Sequence, residues 1–322
     1  MRMNHFKDLI GFIHKEINKS LKQLPIPVKP KYLYDPIRYV IKGKGKRLRP
    51  ILVHLVGRAH NMDPNQIMKI AISVELLHNF TLIHDDIMDN DTLRHGKKTI
   101  HTKWDNSSAI LAGDGVYTIA QIILNTLSGL NLNKVSKYFN DVTLEICEGQ
   151  ALDKEFENNY STNEDDYLEM IEKKTGALLG AAAALPLIHN GNDKSSIEHS
   201  NSFGRLLGKG FQIQDDVLEI TSNVETMGKS LESDIYEGKQ TIMFIKAQNR
   251  YKNRWNKLIS KTSRKKIKED IRTFLYETGI IDETESMAKS YFDLSRKSVE
   301  KLKCEKKDEL FEFINLIEKR TY

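Results

Sequence analysis

Residues 76–89 read Leu76-Leu77-His78-Asn79-Phe80-Thr81-Leu82-Ile83-His84-Asp85-Asp86-Ile87-Met88-Asp89, an apolar stretch that ends in aspartates. A second such group follows apolar residues later in the chain and reads Asp215-Asp216-Val217-Leu218-Glu219. In both groups the carboxylates stand at i, i+1 and i+4, and positions i and i+4 share one face of an α-helix. Neighbouring anions repel one another unless a cation joins them. We therefore expect the first acidic group (Asp85, Asp86, Asp89) and the second acidic group (Asp215, Asp216, Glu219) to converge around metal and an anionic ligand.

Apolar residues recur at helical spacing along most of the chain, and the alternation typical of strands is scarce. The pattern predicts one all-α domain over residues 1–322, a single large helical bundle around a central apolar cavity. The end of the chain alternates Lys and Glu with a thin apolar stripe, which predicts a solvated helix packed on the outside. The predicted helices cover residues 4–22, 32–42, 48–60, 64–89, 106–128, 131–156, 163–188, 195–221, 238–250, 263–277 and 283–319.

The composition is that of a globular protein, with 39% hydrophobic and 29% charged residues among 322. A net charge of +5 does not indicate a nucleic-acid binder. The two cysteines, Cys147 and Cys304, imply no disulfide framework. The first residues lack the apolar segment of a signal peptide, and the longest apolar stretch, Gly176–Ile188, is too short to span a bilayer. These features predict a cytoplasmic protein without a membrane span.

The acidic groups are typical ligands for a hard cation. Exposed acids at a helix C-terminus would be the alternative, but they oppose the helix dipole and here follow apolar, buried-type sequence. Mg²⁺ takes carboxylate oxygens together with water and substrate phosphates. Zinc would need two or three His or Cys ligands at close spacing, and only His78 and His84 stand nearby. The sequence therefore favours magnesium.

Basic residues form several separate spots. The glycine-containing turn at 43–50 lacks the GxxxxGK[ST] pattern of a P-loop, so it is either a solvated loop or a diphosphate clamp. Lysines inside an apolar helix usually extend to the surface, but small neighbours such as Gly176 also allow a ligand to approach. The spots read Gly43-Lys44-Gly45-Lys46-Arg47-Leu48-Arg49-Pro50, Arg94-His95-Gly96, Lys173-Lys174-Thr175-Gly176, Gly228-Lys229 and Gly238-Lys239-Gln240-Thr241.

Metal-binding acids and several phosphate-sized cationic sites on an apolar scaffold indicate a diphosphate substrate with an apolar tail. Catalysis would then be electrostatic, since metal ions and Lys or Arg stabilise a departing diphosphate. An apolar cavity would keep water from the reactive cation left behind.

At these residues the chain resembles the trans-isoprenyl diphosphate synthases, in particular the short-chain farnesyl and geranylgeranyl diphosphate synthases. The resemblance runs from about residue 40 to 245. It includes Gly45–Pro50, Glu75–Asp89, Glu148-Gly149-Gln150 with Asp153, Lys174-Thr175-Gly176, Phe211–Asp216 and Gly238–Thr241.

The resemblance implies an isoprenoid-synthase-like fold, a homodimer, and a transferase that condenses an allylic diphosphate with isopentenyl diphosphate and releases pyrophosphate. Several Mg²⁺ ions would bind with the substrate diphosphate on the six carboxylates of the two acidic groups. The implied residues are Arg94, Lys174, Lys229 and Lys239 for the allylic diphosphate, Lys46, Arg49 and His78 for isopentenyl diphosphate, and Thr175 and Gln212, beside Lys174, for catalysis at the allylic cation.

Two positions depart from the family pattern. His95 stands where the family usually has a second Arg that binds isopentenyl diphosphate, and Glu219 ends the second acidic group in place of Asp. Because His titrates at about pH 6.5, we expect affinity for isopentenyl diphosphate to rise at acidic pH. These departures also leave a non-catalytic or weakly active regulatory subunit as an alternative. A terpene cyclase is a third function, although cyclases normally carry only one such Asp-rich motif.

The resemblance also bears on product length. Phe80 lies five residues before Asp85, at the position that forms the floor of the chain pocket in the family. A bulky floor implies a short product, and with Thr81 small we expect geranylgeranyl diphosphate first and farnesyl diphosphate next. Leu77 and Thr81 share the face of Asp85 by periodicity and are further candidates to line the pocket.

Overall fold

The computed structural model describes residues 2–157, 159, 161–221, 239–261 and 267–320. A π-helical turn, Glu172–Gly176, joins the eighth and ninth α-helices. Two-residue strands β1 (Leu93–Arg94) and β2 (Lys97–Lys98) pair antiparallel. The α-helices are α1 (Arg2–Lys22), α2 (Lys31–Ile41), α3 (Leu48–Ala59), α4 (Pro64–Met88), α5 (Ile100–Lys103), α6 (Asn106–Leu124), α7 (Leu132–Phe156), α8 (Glu164–Ile171), α9 (Ala177–Asn190), α10 (Lys194–Thr221), α11 (Ile242–Lys261), α12 (Ile267–Glu277), α13 (Ile280–Glu300) and α14 (Lys307–Glu318).

Helix α9 lies at the centre of the fold. Every residue from Ala177 to Ile188 is buried, as expected of a helix that is apolar on all sides. It packs against α3, α4, α7 and α10, while α6 lies along α4 and α13 lies along α10. The predicted all-α fold is confirmed. The single domain over residues 1–322 stays a prediction, because residues 222–238 and 262–266 lie outside the described ranges.

Helix α4 carries the first acidic group at its C-terminal end. The helix begins where the Asp63 side chain accepts a hydrogen bond from the Asn65 N–H, and Pro64 occupies the first helical position. It ends at Met88, where the N–H of Asp89 donates to the Asp85 carbonyl at 2.8 Å. This end point places all three aspartates beside the loop that leads into β1.

Glycines bring α7 and α10 close to the π-helical turn. A Cβ on Gly149 of α7 would lie 2.3 Å from the backbone N of Lys174. A Cβ on Gly208 of α10 would lie 2.6 Å from the Cα of Gly176. Neither position can carry a side chain at this spacing, so backbone contact fixes the turn between the two helices.

Several predicted elements are divided or differ in length. The helix predicted at 163–188 is α8, the π-helical turn and α9, and the helix predicted at 283–319 is α13 and α14. Helix α11 continues to Lys261, past the predicted end, with a kink at Tyr251. The hairpin of β1 and β2 and the short α5 were not predicted, because each has too few residues to produce a periodic pattern.

The tail is predicted as a helix that packs on the outside with its charged face in solvent, and it forms two such helices, α13 and α14. Helix α13 packs along the length of α10, and Phe292 and Ser295 are buried there. In α14, Leu310, Phe313 and Ile314 are also buried. The Lys and Glu residues that suggested a solvated helix occupy only the outer faces, so a thin apolar stripe was sufficient for burial.

Helix α6 is also more apolar than expected. It is long and apolar enough, by length and composition, to span a membrane, whereas the sequence indicated Gly176–Ile188 as the longest apolar stretch. One face, with Ala112 and Val116, is buried against the neighbouring helices. The opposite face exposes Ile110 and Ile122. Helix α6 is therefore a core helix with a second apolar face that the described chain leaves uncovered.

Candidate active site

The first acidic group lies largely out of solvent. Burial raises the pKa of Asp86 to about 6, although the nearby Arg94 acts in the opposite direction. Burial also raises the pKa of Asp85, and the charge of Asp89 adds to this rise while Lys174 and Arg94 oppose it. Three carboxylates in this position are costly when ionised, so the site favours bound cations.

The hairpin of β1 and β2 delivers Arg94 to the first acidic group. His95 and Gly96 form its turn with φ values of 50° and 72°, the left-handed conformation that a two-residue hairpin turn requires. The Arg94 Nε lies 2.5 Å from Asp86 Oδ1, and its Nη2 donates to Asp91 at 3.3 Å. The turn thus fixes the guanidinium beside the carboxylates and places His95 at the tip.

The second acidic group is held by a chain of hydrogen bonds. The Tyr167 hydroxyl donates to Asp216 Oδ2 at 2.6 Å, and Gln212 Nε2 donates to Asp216 Oδ1 at 3.0 Å. The Thr175 hydroxyl in turn donates to Gln212 Oε1 at 3.0 Å. Burial raises the pKa of Asp216 to about 7, although the hydrogen bonds from Tyr167 and Gln212 act in the opposite direction.

The C-terminal end of the described chain reaches the same group. Arg320 forms an ion pair with Asp215, and its guanidinium lies over the Phe211 ring at 3.6 Å from the ring centroid. It also donates to the Phe211 carbonyl at 3.0 Å and to Gln214 Oε1 at 3.2 Å. Burial raises the pKa of Asp215, while Arg320 and Lys46 oppose the rise.

A basic pocket adjoins Asp215. Arg49 Nη1 and His78 Nε2 are 3.0 Å apart. Burial lowers the pKa of Arg49 to about 10, while the charges of Glu75 and Asp215 act to raise it. Burial and Arg49 hold the pKa of His78 well below its usual value. Lys46 is near enough for its charge to lower the pKa of both Asp215 and His95.

Arg47, in the same basic turn, has a structural role. Its side chain is buried and its Nη1 donates to Glu75 Oε1 at 2.5 Å. Since the guanidinium also donates to the Gly43 carbonyl and to Asn18, it ties the turn to α4 and α1. The turn is therefore neither a wholly solvated loop nor a set of four equivalent cations.

Lys173 and Lys174 point in different directions. Lys173 pairs with Glu148 and Glu169 at the surface. The Lys174 Nζ lies 2.5 Å from Asp153 Oδ2. Burial alone would lower the pKa of Lys174, but the charges of Asp153 and Asp85 outweigh it and raise the pKa. The π-helical turn separates the two side chains, and only Lys174 enters the site.

The two acidic groups share neighbours. The charge of Asp153 raises the pKa of both Asp85 and Asp216. An effect of this kind requires Asp153 to lie near both groups. The convergence of the two groups stays a prediction, and the charge of Asp153 acts on a member of each group.

The donor chemistry of the site fits a hard divalent cation. Every candidate ligand is a carboxylate, and Mg²⁺ prefers oxygen ligands. Within the described ranges, no three His, Cys, Asp or Glu side chains are arranged to hold a metal ion by themselves. The two histidines of the zinc alternative diverge, since His78 contacts Arg49 and His84 lies 3.8 Å from Asp114.

The structure describes three of the remaining predicted residues, Lys239, Glu219 and Phe80. Lys239 Nζ lies 3.4 Å from Asp89 Oδ2. Glu219 is half-buried on α10, one turn beyond Asp215. Phe80 packs against His84 and against Tyr117 of α6, with ring centroids 4.7 and 5.3 Å apart. Lys229 lies outside the described residues.

Two cavities lie away from the acidic groups. One of about 400 Å³ opens beside Lys173 and Lys209. Another of about 340 Å³ lies between α1 and α14, beside Phe6 and Phe311. Neither is lined by Phe80 or by either acidic group, so the predicted central apolar cavity stays a prediction.

Four residues of the site were not assigned a role from the sequence. Asp153 stands in the quoted Glu148-Gly149-Gln150 region, and its spacing from Gly149 was an available signal. Tyr167 is one aromatic among many on an amphipathic helix, and nothing local marks it. Lys154 and Arg320 resemble ordinary surface cations until the structure shows their contacts. The side-chain contacts of these residues depend on tertiary packing that no local pattern encodes.

Comparison with known proteins agrees with the family resemblance. The sequence model of a family described as polyprenyl synthetase matches residues 30–277. The geranylgeranyl pyrophosphate synthase of Geoglobus acetivorans is 38% identical over 288 residues, 89% of this chain and 90% of the relative. The geranylgeranyl diphosphate synthase of Methanosarcina mazei is 36% identical over 309 residues, 95% of either chain. A crystal structure of geranylgeranyl pyrophosphate synthetase from Pyrococcus horikoshii superposes with a TM-score of 0.89, at 32% identity and covering 100% of both chains.

The family model matches most of the chain, and the relatives are similar over nearly their whole length. These two findings establish the family. The helical fold and the carboxylate-rich site agree with it. The chain belongs to the polyprenyl synthetase family, as a short-chain trans-isoprenyl diphosphate synthase.

Proposed function

We propose that the protein condenses an allylic diphosphate with isopentenyl diphosphate and releases pyrophosphate, with geranylgeranyl diphosphate as the favoured product. The names of the relatives from Geoglobus acetivorans and Methanosarcina mazei support this product. The structural observation that carries the proposal is the pairing of cations with the buried acids, Arg94 with Asp86 and Lys239 with Asp89. Acids and cations that meet at one place suit a metal–diphosphate substrate.

Magnesium would bind to Asp85, Asp86 and Asp89 on one side and to Asp215, Asp216 and Glu219 on the other. Bound there with the substrate, it would neutralise charge on the leaving diphosphate. The raised pKa values of the buried aspartates support this assignment, since a divalent cation relieves the cost of ionising them. Several ions are expected, because the carboxylates come from two helices.

The cations divide between two substrates. Arg94 and Lys239 pair with the first acidic group, and Lys174 pairs with Asp153. These three cations would hold the allylic diphosphate, together with Lys229. The pocket of Arg49 and His78, with Lys46 and His95 near it, would bind isopentenyl diphosphate. The Arg49 guanidinium presents a fork of donors that suits phosphate oxygens.

Thr175 and Gln212 suit the stabilisation of an allylic cation. The Thr175 hydroxyl donates a hydrogen bond to Gln212, so the lone pairs of the hydroxyl oxygen are left for another partner. Gln212 is held in turn by its bond to Asp216. Oxygen dipoles fixed in this way need no reorganisation when positive charge develops. Heterolysis of the allylic carbon–oxygen bond would release pyrophosphate and leave the allylic cation. The isopentenyl double bond then attacks that cation to form the new carbon–carbon bond, and the pyrophosphate accepts the proton lost from the resulting cation.

The test is an assay of the purified chain with Mg²⁺, isopentenyl diphosphate and allylic primers. Formation of a longer prenyl diphosphate, mainly of twenty carbons, is the expected result. Hydrocarbon products would indicate a terpene cyclase. No turnover with any primer, in protein shown to be folded, would indicate the non-catalytic subunit.

His95 should make binding of isopentenyl diphosphate dependent on pH. Burial, then the charges of Arg94 and Lys46, lower the pKa of His95, so it is neutral at about pH 8 in the free enzyme. Acidification adds a positive charge near the basic pocket and should lower KM for isopentenyl diphosphate by roughly two- to fivefold. Because the pKa of His95 lies below its usual value of about 6.5, the decrease in KM is expected toward pH 5, and the measurement is KM between about pH 8 and pH 5.

The matched variant is His95→Arg, whose charge does not change in this range. Its KM should be lower than that of the parent at about pH 8 and should vary less with pH. Because the aspartates of the acidic groups titrate in both proteins, the difference between the two profiles isolates His95. Parallel profiles would remove His95 from the explanation.

We also propose that the protein is a cytoplasmic homodimer. Ile110, Leu111 and Ile122 on α6 and Leu144 on α7 are exposed, with Ile122 61% and Leu144 63% accessible. The Tyr117 hydroxyl of α6 donates to Asn140 of α7 at 2.7 Å and links the two helices. Exposed large apolar side chains on linked helices are typical of an interface between subunits.

Replacing Leu144 by Lys should therefore weaken the dimer. Each interface would receive two buried ammonium groups, and the expected loss is about 2 kcal/mol or more of association free energy. Light scattering coupled to gel filtration should show a shift from dimer toward monomer. Leu294→Lys, at an exposed position on α13, is the control and should leave the mass unchanged. A monomeric parent, or a fully dimeric Leu144 variant, would contradict the proposed interface.

A further inference from the structure

Lys154 is a cation of the site that the assignments above leave without a role. It follows Asp153 on α7, and its Nζ lies 3.6 Å from Asp89 Oδ1. The same ammonium donates to Glu157 Oε1 at 2.6 Å and to the Met88 carbonyl at 3.3 Å. Its side chain is 34% exposed, so it stands at the mouth of the site and not in its interior.

Asp89 lies between two lysines. Lys154 approaches Oδ1 from α7, and Lys239 approaches Oδ2 at 3.4 Å from the segment before α11. The Asp89 side chain is only 4% exposed, and its charge raises the pKa of Asp85 one turn away. The two ammonium groups therefore offset repulsion between neighbouring carboxylates when no metal is bound.

A metal ion must compete with Lys154 for Asp89. The ammonium is close enough to Oδ1 to oppose a cation on that oxygen. Glu157 and the Met88 carbonyl hold the ammonium beside Asp89 in the ligand-free chain. A diphosphate changes the balance, because its oxygens supply further metal ligands and also accept hydrogen bonds from displaced lysines. Metal binding alone has no such compensation.

We propose that Lys154 is a positioning residue that holds Asp89 in the metal-free enzyme and makes metal binding depend on diphosphate. This rests on the proposed function, since it takes Asp89 as a metal ligand. Lys154 weakens the binding of a metal ion alone and has much less effect once diphosphate is present. The enzyme would thus acquire its metal together with its substrate.

The experiment compares Mn²⁺ binding to the full chain, measured by electron paramagnetic resonance, without and with inorganic pyrophosphate. Without pyrophosphate, Lys154→Met should bind Mn²⁺ about fivefold or more tightly than the parent. With pyrophosphate, the two proteins should agree within about twofold. Lys154→Arg, which keeps the charge, should behave as the parent does.

Lys137→Met is the matched control. Lys137 lies on the same helix and pairs with Asp141 at the surface, so its loss removes the same charge far from the site. If it strengthens Mn²⁺ binding as much as Lys154→Met does, net charge explains the effect and the proposal is wrong. Unchanged or weaker Mn²⁺ binding in Lys154→Met would also overturn it.

A variant that does not fold, and a parent that binds no metal, each give a result distinct from failure of the Lys154 role. Should Lys154→Met fail to fold, Lys154→Gln keeps a donor for Glu157 and the Met88 carbonyl without the charge, and it should show the same gain. If the folded parent binds Mn²⁺ in neither condition, the proposed metal site itself fails. If the parent binds only with pyrophosphate and Lys154→Met does the same with equal affinity, only the role of Lys154 fails.

Discussion

Asp216→Asn is expected to remove most of the turnover while making the metal-free protein more stable. The substitution removes one proposed metal ligand, and loss of such an electrostatic contribution typically lowers kcat by about 10²–10³-fold. Burial raises the pKa of Asp216 to about 7 from 3.8, so the folded chain pays for its charge near neutral pH. A neutral amide avoids that cost and can still bond with Tyr167 and Gln212, for an expected gain of about 0.5–2 kcal/mol.

The pH dependence gives the sign of this effect. The folded pKa of Asp216 lies above its unfolded value, so the folded protein holds the proton more tightly. The contribution of Asp216 to stability is therefore greatest below the unfolded pKa and falls as pH rises toward the folded pKa. The advantage of the Asn variant should be largest at about pH 8 and should shrink at about pH 5.

Thermal unfolding in the presence of a chelator measures this gain, and steady-state turnover measures the loss. Glu198→Gln, at an exposed position on the same helix that pairs with Lys194, is the control and should change neither. A destabilised Asn variant would show that the Asp216 carboxylate is satisfied without a cation. Retained turnover would remove Asp216 from the proposed metal ligands.

Phe80→Ser is expected to lengthen the product by at least one isoprene unit. Phe80 lies on α4 before the first acidic group and fills the space between His84 and Tyr117 of α6. Serine would open that space, and a growing prenyl chain could extend toward α6. The loss of ring packing should also lower stability by about 1–3 kcal/mol, less than for a fully buried Phe.

Product chain length is read by chromatography of the dephosphorylated products. Phe12→Ser, at a position on α1 that is 62% exposed, should leave the distribution unchanged. An unchanged distribution in the Phe80 variant would assign the limit to other residues. Tyr117 is then the next candidate, since its ring packs against that of Phe80.

The sequence predicted the fold class because the long helices carry strong local signals, and the proposed site residues were chosen from signals of the same kind. Periodic apolar residues predict the long helices, and the end of α4 follows from aspartates that succeed an apolar run. The contact between Arg49 and His78 agrees with their predicted membership of one pocket. These residues belong to helices whose registers are fixed by burial.

Other features depend on tertiary contacts. The π-helical turn at 172–176 arises where Gly149 lets the α7 backbone touch Lys174, and no local pattern marks that contact. Tyr167 reaches Asp216 across two helices that are distant in sequence. Arg320 reaches Asp215 only because α14 folds back onto α10.

The close glycine contacts restrict substitutions around the π-helical turn more than substitutions between α4 and α6. Lys174 and Thr175 lie where Gly149 and Gly208 leave no room for side chains, so substitution of either glycine would displace these proposed catalytic residues. Phe80 and Tyr117 meet through ring packing between α4 and α6, with the ring centroids 5.3 Å apart. A lineage could therefore acquire longer or shorter isoprenoids by altering the second region while inheriting the first intact.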